Sequence, residues 1–155
     1  MMNLKDKDIL ILGLGVTGVS TVKALNKLEA NIMIADTKKE EELKEYLDEI
    51  KEYPIKYFLG TNLVPLNNID LIVKSPGVPL NIPLIEEANK LNIEVITDIE
   101  LAYRLIDSYI IAITGTNGKT TTTTIIGEFF KKAGYDTHVT GNIGKGILWD
   151  AVNSK

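Results

Sequence analysis

Apolar positions along this chain follow two rhythms, short continuous runs and longer stretches with an apolar residue every third or fourth place, which together predict strands alternating with helices. Residues 8–14, DILILGL, are an apolar run ending in glycine, and 17–29, TGVSTVKALNKLE, switch to helical spacing. ANIMIAD (30–36) reads as a second strand, so the first 36 residues predict one βαβ unit. In 38–53, Leu43, Tyr46, Leu47 and Ile50 fall at i, i+3, i+4 and i+7, one apolar stripe on a helix whose charges face water. IKYFLG (55–60) and IDLIVKSPG (69–77) read as strands, the second stopped by Pro76-Gly77. Pro83 opens a further helix, IEVIT (93–97) is another strand, and 98–106 is a connecting helix with Asp98 as its expected N-cap.

Strands and helices alternating at these spacings predict a mostly parallel sheet covered on both faces, an α/β fold. Residues 1–97 then form a Rossmann-like unit. From 98 to 155 the pattern restarts: strand 109–114, glycine-rich loop, helix 119–133, strand 137–140, glycine-rich turn and a short helix. Two strands are too few for a parallel sheet, so this second α/β unit reads as the truncated start of a domain.

Composition narrows the function classes. A length of 155 residues fits one ordinary domain, or a small one plus the start of another. Hydrophobic content of 45% and a mean hydropathy of +0.06 are globular values, and no apolar run approaches the roughly 20 residues of a membrane span. The absence of cysteine removes disulfides and thiol chemistry, and residues 1–12 lack the pattern of a secretory leader, so a cytoplasmic address is expected. A net charge of −4 and a pI near 5.1 disfavour nucleic acid as a partner and favour small molecules and metal ions.

Two glycine-rich loops carry the candidate chemistry. The later one, GTNGKTTTTT from Gly115 to Thr124, follows an apolar stretch and opens a helix. In that setting the backbone N–H groups of Gly115, Thr116, Asn117, Gly118 and Thr121 are placed to cradle phosphate, with Lys119 reaching the β- and γ-phosphates of ATP and the Thr120 hydroxyl on a Mg2+ ion. The match is a variant, because Ile113 stands where the usual pattern has its first glycine. The earlier loop, Gly13-Leu14-Gly15-Val16-Thr17-Gly18, fits G-x-G-x-x-G between strand and helix, with Asp36 ending the next strand. Taken alone, this motif is a dinucleotide-binding fingerprint that leaves open NAD, another diphosphate (the favoured of the two) and a merely structural loop, since backbone amides bind pyrophosphate whatever it carries.

The segments GLGVTGVS, SPGVPLNIPLI, TDIELAYRL, ITGTNGKTTTT and GNIG occur in the order and spacing of the Mur ligases, and the chain resembles that family over essentially its whole length. Within it, the pairing of the first loop with Ser75-Pro76-Gly77 resembles the D-glutamate-adding branch. The resemblance implies that the first unit holds UDP-N-acetylmuramoyl-L-alanine rather than NAD. Gly15, Val16, Thr17 and Gly18 would meet the diphosphate, Asp36 and Thr37 the uracil or ribose, and Ser75, Pro76 and Gly77 the uridine pocket. Asn142 would reach the substrate beside the ATP phosphates. It implies an ATP- and Mg2+-dependent amide synthesis through an acyl phosphate, with Lys119 as the catalytic cation and D-glutamate bound by a later domain. His138, Trp149 and Arg104 read as structural. The remaining catalytic groups would follow residue 155, so a fragment inactive on its own is expected. A non-catalytic module binding NAD or a UDP-sugar is the alternative.

Overall fold

The computed structural model describes residues 2–61, 63–141 and 146–153. Five strands, β1 (Asp8–Leu12), β2 (Asn31–Asp36), β3 (Ile55–Leu59), β4 (Leu71–Lys74) and β5 (Glu94–Thr97), form one sheet in the order β3-β2-β1-β4-β5. Every pairing is parallel, with Leu10 of β1 opposite Met33 of β2 and Ile72 of β4. Between and after them run α1 (Val16–Lys27), α2 (Glu40–Ile50), α3 (Pro83–Lys90), α4 (Asp98–Leu105), α5 (Lys119–Lys132) and α6 (Ile147–Asn153). No described helix is long and apolar enough to cross a membrane.

The pleat of the sheet sorts the apolar residues into two cores. Ile9 and Ile11 of β1, with Leu71 and Val73 of β4, join Val22 and Leu25 of α1, Leu43 and Ile50 of α2, and Leu101 and Leu105 of α4. Leu10, Leu12 and Ile72 point the other way, onto Leu84, Ile85 and Ala88 of α3 and onto Leu66 and Ile69. With both faces covered, the central strands are polar only at an end, Asp8 in β1 and Lys74 in β4, which is why ILIL (9–12) and LIV (71–73) read as unbroken apolar runs.

Chain direction between layers is set by repeated helix ends. After α1 and α3 the residues Glu29 and Asn92 take left-handed φ of 59° and 56°. The amides of Ala30 and Ile93 then bond back to the carbonyls of Leu25 and Ala88, turning each chain end into the following strand. α2 starts on a local contact, the Lys39 amide donating to the Glu42 carboxylate at 3.0 Å.

Several expectations change. The N-cap of α4 is Thr97, whose hydroxyl accepts from the Glu100 amide at 3.2 Å; Asp98 is the first helical residue. The hydroxyl sits one position earlier than the carboxylate, and that register satisfies a first-turn amide. Helix α4 also lends Leu101, Ala102 and Leu105 to the core shared by β1 and α1, and α6 adds Leu148, 1% exposed. Lys27 donates to the Val152 carbonyl and the Asn153 side chain at the far end of α6, and a Cβ at Gly146 would collide with Ser20 of α1.

Residues 109–114 and 137–140 are not strands. Tyr109, Ile110 and Ile111 are exposed, and neither segment pairs with another strand among the described residues. An apolar run becomes a strand only where a neighbour accepts and donates its backbone hydrogen bonds. Of the expected second unit, the helices α4, α5 and α6 form, and Gly127 is the one buried residue of α5.

Lys74, 6% exposed, and Asp98, 7% exposed, are the charged residues buried among those described. Burial pushes the Asp98 carboxyl above its ordinary value, against hydrogen bonds from the Ile99 and Asp98 amides and the charge of Lys74. Its Oδ1 atom lacks a hydrogen-bond partner.

Two outcomes are expected. Leu148→Ala should destabilise the chain by roughly 3 kcal/mol, the usual scale for emptying a packed leucine site; urea unfolding measures it, and a change below about 0.5 kcal/mol would mean that α6 is not docked. Because the folded-state value of Asp98 is raised, its charged form is penalised above that value and relieved as pH falls toward the ordinary one. Asp98→Asn should therefore raise the melting temperature at about pH 7, with the gain shrinking toward about pH 4.

Candidate functional site

In a parallel sheet whose strand order reverses, the loops at the reversal diverge and leave a crevice at the carboxyl ends of the strands. Here the reversal lies between β1 and β4. Gly13–Gly18 leaves β1, Asp36-Thr37 ends β2, and Ser75-Pro76-Gly77 leaves β4. The structure thus brings the earlier loop and both of its expected companions to one edge of the sheet.

The glycines of the first loop serve different ends. Gly13 has φ of +90°, in the left-handed region, and a Cβ there would lie 3.1 Å from a Val78 methyl. A Cβ on Gly18 would sit 2.5 Å from the Gly13 carbonyl oxygen, so this glycine lets α1 pack against the end of β1. Gly15 and Gly77 differ: a Cβ at either meets nothing within 4 Å. Packing does not require glycine at these two positions, and both border the crevice.

Gly15 is the N-cap of α1 and offers no side-chain cap; no acidic residue occupies the first turn. Helical hydrogen bonding begins with the Val19 amide, which donates to the Gly15 carbonyl at 2.9 Å. The amides of Val16, Thr17 and Gly18 therefore precede the first intrahelical bond, at the positive end of the helix dipole. Val16 is 66% exposed there.

The loops are bound to one another. The Asp36 carboxylate accepts from the Leu14 amide at 2.7 Å and the Lys38 amide at 2.9 Å. The Ser75 hydroxyl donates to the Gly13 carbonyl at 2.9 Å, and the Ser75 amide to the Leu12 carbonyl. Beyond β3, the Gly60 amide donates to the carbonyls of Asp36 and Lys38. The sequence flags Asp36 and Ser75 as ligand contacts; their role in holding the loops was not legible, because it depends on strands far apart in the chain. Gly60 was missed, although a glycine closing a strand is a recognisable signal.

The second set of residues, Gly115 to Thr121, forms its own exposed loop at the start of α5. Gly118 is the N-cap, with φ of +77°, and the first turn carries no acid. The Lys119 ammonium donates to the carbonyls of Gly115 and Thr116, folding over the loop. Thr123 and Thr124 turn their hydroxyls back onto the carbonyls of Lys119 and Thr120, whereas the hydroxyls of Thr120 and Thr121 make no hydrogen bond among the described residues. Asn142 lies outside the described residues. Arg104 bridges Glu94 and Glu100, tying α4 to β5, and His138 stands between Asp136 and Asp150.

A five-stranded parallel sheet with helices on both faces and a glycine-rich turn at its reversal defines a Rossmann-like α/β unit. Residues 7–97 match the sequence model of the family described as Mur ligase MurD-like, N-terminal domain. The chain therefore belongs to the Mur ligases, with their MurD-like N-terminal domain at 7–97.

Among curated proteins, the UDP-N-acetylmuramoylalanine--D-glutamate ligase of Alkaliphilus oremlandii is 51% identical over 99% of this chain and 34% of its own length. The protein of the same name from Clostridioides difficile is 47% identical over 95% of this chain and 33% of its own length. The chain thus spans about a third of the length of the curated relatives it matches. Among solved structures, the UDP-N-acetylmuramate-alanine ligase MurC of Thermotoga maritima aligns with a TM-score of 0.49 and 22% identity, over 81% of this chain and 29% of that one.

The glycines separate fold from ligand access. Gly18→Ala should destabilise the chain by roughly 2 kcal/mol through overpacking against the Gly13 carbonyl. Gly15→Ala, with extended φ of −133° and open space around it, should cost under about 1 kcal/mol. Chemical denaturation of the two variants measures the contrast, and equal losses would refute the division.

Proposed function

We propose that this chain supplies the UDP-binding unit of a ligase that joins D-glutamate to UDP-N-acetylmuramoyl-L-alanine, as the names of its curated relatives describe for those proteins. The observation that carries the reading is the meeting of Gly15–Gly18, Asp36-Thr37 and Ser75–Gly77 at the β1/β4 reversal. The amides of Val16, Thr17 and Gly18 receive the diphosphate, where a helix N-terminus without an acid in its first turn favours an anion. Asp36 and Thr37 lie on the side of the uracil or ribose. Ser75, Pro76 and Gly77 line the uridine pocket, with the open space at Gly15 and Gly77 admitting the ligand close to the backbone.

We assign ATP to the second loop. Backbone N–H groups at an uncapped helix start, one ammonium and the unbonded hydroxyls of Thr120 and Thr121 suit a triphosphate with its magnesium. Among the described residues no group of three or more histidine, aspartate or glutamate side chains could hold a metal ion. From this chain the Thr120 hydroxyl would hold the magnesium, which would offset charge on the transferring phosphoryl group. Lys119 leaves the carbonyls of Gly115 and Thr116 to meet the β- and γ-phosphates. Asn142 would contact the substrate beside those phosphates.

In the reaction of the whole ligase, the muramoyl-alanine carboxylate takes the γ-phosphoryl group, releasing ADP. The amine of D-glutamate then attacks the acyl phosphate carbon, phosphate departs, and the amine proton is lost. This chain's part is to bind and orient the acceptor, and to hold the phosphoryl donor in line with it.

Calorimetric titration of the chain with UDP-N-acetylmuramoyl-L-alanine, NAD and Mg-ATP tests the reading. The UDP-sugar should bind to the first loop, with the heat lost in Val16→Pro, which removes one amide donor. Binding of NAD with no response to the UDP-sugar would overturn it in favour of a non-catalytic NAD module.

A further inference from the structure

The carboxyl-terminal rim of the sheet is laced together by hydrogen bonds that cross four strands. From the edge inward, the Gly60 amide beyond β3 donates to the carbonyls of Asp36 and Lys38 at 2.9 and 2.8 Å. The Asp36 carboxylate takes the Leu14 amide on one oxygen and the Lys38 amide on the other. The Gly13 amide donates to the Ala35 carbonyl, and the Gly13 carbonyl accepts the Ser75 hydroxyl. The Val78 amide then closes the β4 turn on the Ser75 carbonyl. Two side chains, those of Asp36 and Ser75, join segments that backbone pairing alone leaves to diverge.

We propose that Asp36 is a positioning residue for the diphosphate: its carboxylate staples the loop after β1 to the loop after β2, and so aims the amides of Val16, Thr17 and Gly18 before a ligand arrives. The inference rests on reading this rim as the UDP site. The Leu14 amide is the staple point, two residues before the first of those amides, and Gly15 between them has no Cβ contact to hold it. Without the staple this short span is fixed only by Gly13 and by α1. A charge-assisted hydrogen bond is stronger than a neutral one, so a carboxylate, with acceptor sites on both oxygens and no donor, suits two converging N–H groups. Asparagine of the same size presents one oxygen and one NH2 group, and so meets one of the two amides with a donor. Ser75 performs the same service from the β4 side through the Gly13 carbonyl.

A staple and a direct ligand contact differ in kinetics. Loosening the loop lowers the population of the competent form, which slows association, whereas deleting a direct contact speeds dissociation. Amide hydrogen exchange on the ligand-free 155-residue chain, with stopped-flow binding of a fluorescent UDP analogue, separates the two. In the unsubstituted chain the Leu14 and Lys38 amides should be protected. Asp36→Asn should remove the protection of one of these two amides, keep the sheet amides of Leu10 and Ile72 protected, and slow association roughly tenfold, a change that loss of a direct contact to the uracil or ribose would not produce. Ser75→Ala should show the same signature at roughly threefold, a second measure should Asp36→Asn fail to fold. Faster dissociation with unchanged association in both variants would overturn the proposal, as would unprotected Leu14 and Lys38 amides in the unsubstituted chain. A chain that does not bind the analogue while those amides stay protected would sink the ligand reading and leave the staple standing.

Discussion

Strand β1 is buried from every direction, and most of the molecule follows from that. Ile9, Leu10, Ile11 and Leu12 are at most 3% exposed, with β2 and β4 hydrogen-bonded on either side and helices above and below. A parallel strand cannot be joined to its neighbours by tight turns, so the connections cross a face of the sheet, as helices α1, α2 and α3 within the pairs β1–β2, β2–β3 and β4–β5 and without a helix among the described residues between β3 and β4. Burying both faces of β1 thus requires crossings on both, α1 and α2 on one side and α3 on the other. The strand order must then reverse next to β1. The crevice, the helix N-terminus beside it and the meeting of three loops are consequences of that reversal rather than separate inventions.

Electrostatic detail is concentrated where the backbone leaves this arrangement. Inside the sheet the ladder satisfies its own amides, and the side chains have only to fill space. At the carboxyl rim the ladder ends and the side chains of Asp36 and Ser75 take over as acceptor and donor. Lys74 and Asp98 lie at the same level, buried at the end of β4 and the start of α4. The surface pairs elsewhere, such as Lys23 with Glu49 or Lys7 with Asp70, bridge exposed groups and contribute little to stability in water.

The first unit was largely legible because its signals are local. Apolar runs of four to six residues, glycine-rich turns and the stripe of Leu43, Tyr46, Leu47 and Ile50 each say what they are within a dozen residues. Strand ends shifted by up to three residues, as for 69–77, which narrows to Leu71–Lys74, because pairing with β1 and β5 decides where a strand stops. The segments 109–114 and 137–140 failed for the same reason in the other direction. Their composition suits a strand, but no strand pairs with them among the described residues. The amphipathic α6 was foreseen as a helix; its seat against α1 and α4 was not, since a seven-residue segment carries no record of which face it will cover.

Taken alone, the sequence determined the class of fold, the place of the two glycine-rich loops at helix starts, and the resemblance to the Mur ligases, all of which reside in residue types at short spacing. It left open which glycines are held by packing and which border open space. Tertiary structure decided that: Gly13 and Gly18 are enclosed, Gly15 and Gly77 are not. It also decided that Asp36 holds Leu14 and Lys38 while Ser75 holds Gly13. The physical reason is distance along the chain. Asp36 and Leu14 are separated by 22 residues, and Ser75 and Gly13 by 62. A hydrogen bond between such partners exists only after β2, β1 and β4 have found their register.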